Sequence, residues 1–368
     1  MSEILEWLVT ADDPRQQVKV KHPMGDIIAI VFFAELANAN EWTEIYLFAV
    51  ANKEHLCKYL ALPYGIPSHD TIQRAFAMAS PECLREFRRR WNEIMSGEVG
   101  DKIRKILALD GKTQRGNGNG ERKANHIVSA VDEDGFCLGE ELVDEKSNEI
   151  TAIPDLLKSV NVKGHVVTTD AMGCQKDIAK LIRELGAHYM LGLKGNQGTL
   201  REDVGLYFDD PGLLAGCAYH KAVDKARGAV EIREYWQTDE VAWLWQRKEW
   251  KGLSSLVMTR NTIVKGDKTT TQTRYFISSL PLGVEEAARA IRGHWMVESF
   301  HWHLDVTFRE DANRTLDKAA AYNLNIVRKM AINTLRLVDV GVARISMKGK
   351  RYMLCANFGR YLDILMAL

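Results

Sequence analysis

The sequence predicts an α/β protein: a mixed-sheet core carrying a β-rich insertion, preceded by an all-helical N-terminal domain. Three observations carry this prediction. Apolar residues recur at helical spacing through residues 1–100, with no alternating strand pattern among them. Strand-like and helix-like segments then follow in the order strand-strand-strand-helix-strand-helix-strand, up to residue 193. Residues of about 198–280 turn β-rich without the composition of a linker on either side, which marks an insertion rather than a further domain.

In the helical part, Pro23 opens a run in which Ile27, Ile28, Ile30, Val31, Phe33 and Leu36 keep helical spacing, and Glu41 to Val50 and Lys53 to Leu60 give two more helices. The segment Gly65-Ile-Pro-Ser68 makes a tight turn, and the Ser68 hydroxyl suits an N-cap because it can accept from an otherwise unpaired amide. The short helix that follows sets His69, Gln73 and Arg74 beside apolar Ile72, Phe76 and Met78. It reads equally as the second element of a helix-turn-helix or as an amphipathic bundle helix. Pro81 to Met95 forms a further helix, with the basic run Arg88 to Arg90 either on a solvated face or against phosphate.

After Gly97 and Gly100 the pattern becomes Ile103–Leu109, Ile127–Val131 and Phe136–Leu142, an antiparallel meander joined by Gly-rich or Asp/Gly turns. Then come a helix over Glu149–Val160, a buried strand at Val166–Thr169, and a helix over Gln175–Leu185 with Gly186 just past its end. A strand at His188–Leu193 completes the series. Three antiparallel strands followed by parallel crossovers is the order of ribonuclease-H-like domains. In the insertion, Val230–Gln237, Ser254–Thr262 and Thr269–Ile277 read as strands, with Lys265 to Lys268 as a hairpin turn. Val284 to Leu304 and Ala319 to Val338 read as long helices.

Bulk properties narrow the function classes. Lys+Arg and Asp+Glu balance at 49 each across 368 residues, but the balance hides a local asymmetry. Basic residues gather from Arg314 to Arg360, including Lys348, Lys350 and Arg351, while acids collect at Asp132–Asp134, Glu140–Glu141 and Asp209–Asp210. A basic C-terminal footprint of this kind is expected to bind phosphate. The six cysteines lack a CxxC pair, which fits neither a zinc site nor a secreted disulfide scaffold and points to a reducing cytoplasm. The first residues lack a signal-peptide pattern, and no apolar run is long enough for a membrane span.

Three carboxylates stand in informative contexts. Asp110 ends the apolar run Ile106-Leu-Ala-Leu109, Asp170 ends Val166-Val-Thr-Thr169, and Glu298 lies within the helical stretch from Ile291 to Asp305. Aspartates at the carboxyl ends of neighbouring strands, joined by a glutamate from a helix, would form an all-oxygen cage for Mg²⁺. A cage holding two such ions is the arrangement that attacks phosphodiesters. After Asp110, Gly111 lets backbone approach closely, and Lys112 and Arg115 supply positive charge suited to a phosphate. Lys194, Asn196 and Gln197 follow the next strand and would offer donors beside the same site, as would Arg292 and His294 on the helix. Two other readings of that helix stay open: a His294/Glu298/His301 transition-metal site, and a structural helix whose tryptophans fill the core. The nucleotide-binding GxxxxGK[ST] loop is absent.

The words ALDGKTQRGN, TTDAMGCQK, LGLKGNQGTL and IRGHWMVESFHWHLDVTFREDANR resemble those of DDE insertion-sequence transposases, in particular the H-repeat-associated branch linked to Rhs elements. KHPMGDIIAI and GIPSHDTIQRAF are similar to the domain that precedes the catalytic core in that branch. The resemblance implies that Asp110, Asp170 and Glu298 are the metal-binding triad, with Mg²⁺ as cofactor and Mn²⁺ as its substitute. It implies double-stranded DNA partners, the element's terminal inverted repeats and the target, and a homodimer that holds two ends in the synaptic complex. A cytoplasmic, nucleoid-associated protein follows from the same reading, with a DNA-binding domain at 1–100 and a catalytic domain at 101–368. A stand-alone metal-dependent nuclease, or a DNA-binding protein no longer mobile, is the alternative. One departure is visible: relatives with a β insertion carry Tyr-x2-Arg-x3-Glu-x6-Lys around the glutamate, whereas the corresponding residues here are Ile291, His294, Glu298 and Asp305.

Overall fold

The structure is a computed structural model that describes residues 2–96, 105–118, 122–144, 147–226 and 228–367. The boundary glycines Gly97 and Gly100 and the expected strand start at Ile103 lie outside the described residues. The first part is helical: α1 (Ser2–Val9), α2 (Met24–Leu36), α3 (Trp42–Ala51), α4 (Lys53–Leu56), α5 (His69–Ala77) and α6 (Pro81–Ser96). Every residue of α2 is buried, as expected for a helix apolar on all sides. The helix expected to run to Leu60 stops at Leu56 and gives way to turns. Ser68 caps α5 as its sequence suggests, its hydroxyl accepting from the Thr71 amide.

Next come β1 (Ile106–Thr113), β2 (His126–Asp132), β3 (Cys137–Leu142), α7 (Glu149–Ser159), β4 (Val166–Thr169), α8 (Lys176–Glu184) and β5 (His188–Leu193). The insertion contributes α9 (Gly198–Asp209), α10 (Pro211–Ala215), β6 (Ala218–Ala226), β7 (Ala229–Thr238), β8 (Ser255–Lys265) and β9 (Lys268–Ser278). Together the strands form one nine-stranded sheet in the order β3-β2-β1-β4-β5-β9-β8-β7-β6. β1 and β2 pair antiparallel, as do β2 and β3; β4 runs parallel to β1, and β5 parallel to β4. β9 joins antiparallel to β5, so the insertion lengthens the core sheet.

The polar strand β6 is absent from the sequence expectations. Its Ala-Tyr-His-Lys-Ala-Val-Asp-Lys run shows no apolar face because, within the described sheet, it pairs on one side alone, with β7. Edge strands of this kind carry charge that discourages further pairing.

The chain ends in α11 (Val284–Gly293), α12 (Met296–Trp302), a π-helical turn at His303–Thr307, α13 (Lys318–Leu337), α14 (Met347–Ala356) and α15 (Phe358–Ala367). The single helix expected over 284–304 is therefore divided. Gly293 lies against Ile106, and at Trp295 the backbone keeps helical angles while the hydrogen-bond register loosens. A break that leaves the dihedrals helical has no signature in residue spacing.

One sheet face packs Leu107, Leu109 and Val128 against α7 and α8; the other packs Ala108, Ile127 and Val131 against α12 and α13. The apolar cluster on that second face continues without interruption through α2, α5, α6, α14 and α15. Buried ion pairs and a buried hydrogen bond cross the same boundary. Arg328 Nε donates to Glu35 at 3.0 Å, Arg88 pairs with Glu140, and Trp91 Nε1 donates to Thr334 at 2.7 Å. The helical first part and the sheet thus share one core. Among the described residues no helix is long and apolar enough to cross a membrane.

Candidate active site

Strand register brings the two aspartates together. Leu109 pairs with Thr169 as the last rung between β1 and β4, so Asp110 and Asp170 emerge side by side where β4 ends. β1 continues to Thr113, leaving its β4 side open beyond that rung. Asp170 Oδ1 accepts from the Met172 and Gly173 amides, at 2.8 and 3.3 Å, which fixes the turn after β4. α12 packs on β1 and β2 and presents the exposed Glu298 from the opposite layer to α7.

Burial pushes the Asp110 carboxyl up to about 7, and the neighbouring charges of Glu149, Asp170 and Glu298 push it in the same direction. The four carboxylates therefore share one electrostatic field. Among the described residues, no three His, Cys, Asp or Glu side chains are gathered closely enough to hold a metal ion as they stand. Asp110, Asp170 and Glu298 offer carboxylate oxygens alone. This donor set suits a hard divalent cation, because such an ion would relieve the repulsion that holds Asp110 near neutrality.

Among the described residues, His294, at the end of α11, and His301 of α12 do not join Glu298 in a transition-metal site. His294 Nδ1 lies 3.0 Å from Thr168 Oγ1, and burial lowers its ring to about 4. His301 Nδ1 stands 3.6 Å from Asp110 Oδ2, and burial, with Lys329 and Lys112 nearby, lowers it to about 3. A neutral ring there adds no charge beside Asp110.

Several expected phosphate contacts are placed otherwise. Lys112, which shares a strand face with Asp110, is buried, and its Nζ lies 2.7 Å from Asp305, 3.1 Å from Glu310 and 3.1 Å from Asp311. Asn196 Nδ2 donates to Ala171 O at 2.6 Å and Gln197 Nε2 to Cys174 O at 3.0 Å. Those amides hold the Asp170 loop in place. Arg351 is wholly buried and donates to Glu35 O, Asn40 Oδ1 and Thr307 O, while Lys350 Nζ caps the Leu335 and Val338 carbonyls at 2.6 and 2.7 Å. Arg88 is buried on Glu140, and Arg89 and Arg90 pair with Glu86. The C-terminal cluster is therefore a structural clamp, with Lys348 exposed beside it.

Arg115 and Lys194 are exposed. Arg292 lines a groove of about 280 Å³ with Arg233, Arg260 and Arg274, where Arg274 lies 4.9 Å over the Trp295 ring. On α5, Ile72, Ala75 and Phe76 are buried, which leaves Gln73 and Arg74 on the outer side; His69 lies 3.1 Å from Asp70.

Sequence reasoning missed Glu149 and His126. His126 Nε2 lies 2.7 Å from Glu149 Oε1, and its Nδ1 lies 2.8 Å from Thr113 Oγ1. The available signal was Gly111: a side chain there would overlap the Glu149 carboxylate and the His126 ring. The close approach that this glycine permits is made by those two groups.

Comparison with known proteins agrees with this architecture. Residues 101–334 match the model described as "Transposase DDE domain", and residues 5–92 match the one described as "DDE_Tnp_1-associated". The chain is 37% identical to "Putative transposase YncI" of Escherichia coli O157:H7, over 97% of this chain and 93% of that protein. It is 36% identical to "H repeat-associated putative transposase YhhI" of Escherichia coli K12, over 97% of both. With these matches spanning most of the chain and a mixed sheet of this order, the chain belongs to the DDE transposase family.

Proposed function

We propose that this protein cuts DNA at the ends of an insertion sequence and joins those ends to target DNA, with Asp110, Asp170 and Glu298 holding the divalent cations that the reaction needs. What supports the reading is that Asp110 and Asp170 follow the last paired rung of neighbouring parallel strands, with the charge of Glu298 acting on Asp110 from α12. Two bound Mg²⁺ or Mn²⁺ ions supply positive charge at the attacking and departing oxygens of an in-line phosphoryl displacement.

This chain's own residues do the rest. Asp110, raised to about 7 by burial and further by its carboxylate neighbours, would hold a divalent cation in its ionised form. Asn196 and Gln197 fix the loop that carries Asp170, and neutral His301 lies beside Asp110. Exposed Arg115, Lys194 and Arg292 offer charge to the DNA backbone around the site. The outer face of α5, with His69, Gln73 and Arg74, is the base-reading element at the element's ends. In the first step water attacks phosphorus and the P–O3′ bond breaks, releasing a 3′-hydroxyl and a 5′-phosphate. In the second, that hydroxyl attacks a target phosphodiester and displaces its 3′-oxygen, so bond number is conserved. Joining two ends in concert calls for a homodimer.

Labelled duplexes carrying the inverted repeats that flank the gene test the proposal. Wild type with Mg²⁺ is expected to produce cut ends and joined products, and Asp110→Asn, Asp170→Asn and Glu298→Gln to produce neither while still binding the ends. Cutting without joining would favour a stand-alone nuclease. Binding without cutting by wild type would favour a DNA-binding protein that no longer moves an element.

A further inference from the structure

We infer that Glu149 is a fourth carboxylate of the metal-binding centre, admitted by the glycine at position 111 and held in place by His126. The inference rests on the metal-dependent chemistry proposed above and adds a ligand outside the triad.

The first argument is steric. Gly111 lies within β1, paired to Val128, and its φ is not positive, so strand conformation does not require a glycine there. Space does. A methyl group at that position would coincide with the Glu149 carboxylate and would stand 2.5 Å from His126 Nε2. The residue immediately after Asp110 is therefore the clearance that lets a second element bring a carboxylate against the strand.

The second argument is orientation. Glu149 opens the eleven-residue α7, whose preceding Asn148 caps the helix by accepting from the Ile150 amide. A carboxylate in a first turn is favoured by the helix dipole. Thr113 and His126 then form a two-step brace, 2.8 Å and 2.7 Å long, that ends on Glu149 Oε1. Oε2 has no hydrogen bond among the described residues, although 13% of the side chain remains exposed. Glu149 lines a cleft of about 1220 Å³ that also reaches Met172 in the Asp170 loop.

The third argument is topological. Asp110 and Gly111 face opposite sides of the sheet, so Glu298 arrives from the α12 layer and Glu149 from the α7 layer. β4 ends beside Asp110, and the notch it leaves is where groups from both layers can meet.

Binding of Mn²⁺ to the full chain without DNA, followed by the electron paramagnetic resonance of free Mn²⁺, tests the inference independently of catalysis. Wild type, Asp110→Asn, Glu149→Gln and Gly111→Ala are compared, with circular dichroism to verify folding. Glu149→Gln is expected to weaken Mn²⁺ binding by about tenfold or more, as loss of a supporting carboxylate does at other metal sites. Gly111→Ala keeps all four carboxylates but removes the clearance, and it should weaken binding similarly. Glu149→Asp, one methylene shorter with its charge intact, should fall between and covers the case of a misfolded variant. If Asp110→Asn weakens binding while the Glu149 and Gly111 variants bind as wild type does, the inference is overturned and the proposed function stands. If Asp110→Asn also binds as wild type does, the metal-dependent reading itself fails and this inference with it.

Discussion

Replacing Asp110 by Asn should make the metal-free protein more stable at neutral and alkaline pH. Burial and three nearby carboxylates raise Asp110 from its usual 3.8 to about 7, so the fold favours its protonated form. The sign follows from linkage. The contribution of this group is fully present below about pH 3.8 and is lost as pH rises through about 7. At about 1.4 kcal/mol for each tenfold change in proton affinity, the full cost of the ionised form is about 4 kcal/mol. A quarter of the side chain stays exposed, and solvent screening reduces the expectation to about 2–4 kcal/mol. Urea unfolding in a chelating buffer checks it: Asp110→Asn should exceed wild type by that amount at pH 8 and match it at pH 4. Mg²⁺ should stabilise wild type and leave the variant unchanged. A variant no more stable than wild type at pH 8 would mean that the carboxylates do not press on one another as the structure indicates.

Arg351→Ala should cost about 3–5 kcal/mol, because it strips buried Glu35, Asn40 and Thr307 of their donor, whereas Lys348→Ala should change stability by under about 0.5 kcal/mol. An Arg351 variant of normal stability with a specific loss of DNA binding would restore the phosphate-surface reading. Neutralising Arg274 and Arg292 together should reduce the slope of log affinity against log salt by about 1.8 if both meet phosphates; an unchanged slope would take the DNA elsewhere. Asp305→Ala and Lys112→Met should each destabilise, and Lys112→Met should cost less in the Asp305→Ala background because one of its three acids is already gone. Independent effects of the two changes in a double-mutant cycle would show that the pair does not interact.

What the sequence disclosed divides along physical lines. Val166–Thr169 and His188–Leu193 were readable to the residue, because strands buried on both faces are continuous apolar runs bounded by polar turns. The Ser68 cap was readable because a cap is a local bond. Asp110 and Asp170 could be paired once the crossover was expected to be parallel, since register then follows from strand ends. Long-range burial was not readable. Lys112 and Arg351 find their acids and carbonyls about 200 and 300 positions away, and a basic residue beside a candidate site looks the same in sequence whether it faces phosphate or core. Glu149 was hidden for the same reason, as an ordinary helix-opening acid until the fold places it over Gly111.

The buried charges also account for the departure from the Tyr-x2-Arg-x3-Glu-x6-Lys pattern. The cation that relatives carry seven residues after the glutamate is replaced here by Asp305, and a lysine stands instead on β1, two residues after Asp110. Lys112 and Asp305 meet at 2.7 Å, so positive charge is present at that end of the helix but is supplied by the strand. A buried ammonium surrounded by Asp305, Glu310 and Asp311 is costly to separate from its partners, which fixes the π-helical turn to the sheet. Arg351 grips Thr307 O at the end of the same turn, and on the other side Gly293 seats α11 on Ile106. The seven residues of α12 that carry Glu298 thus lie between two anchored segments, with the loosened register at Trp295 between α12 and the first. The position of Glu298 relative to Asp110 is therefore set by contacts with the sheet and the C-terminal helices, and the charge at residue 305 belongs to that framework rather than to the DNA.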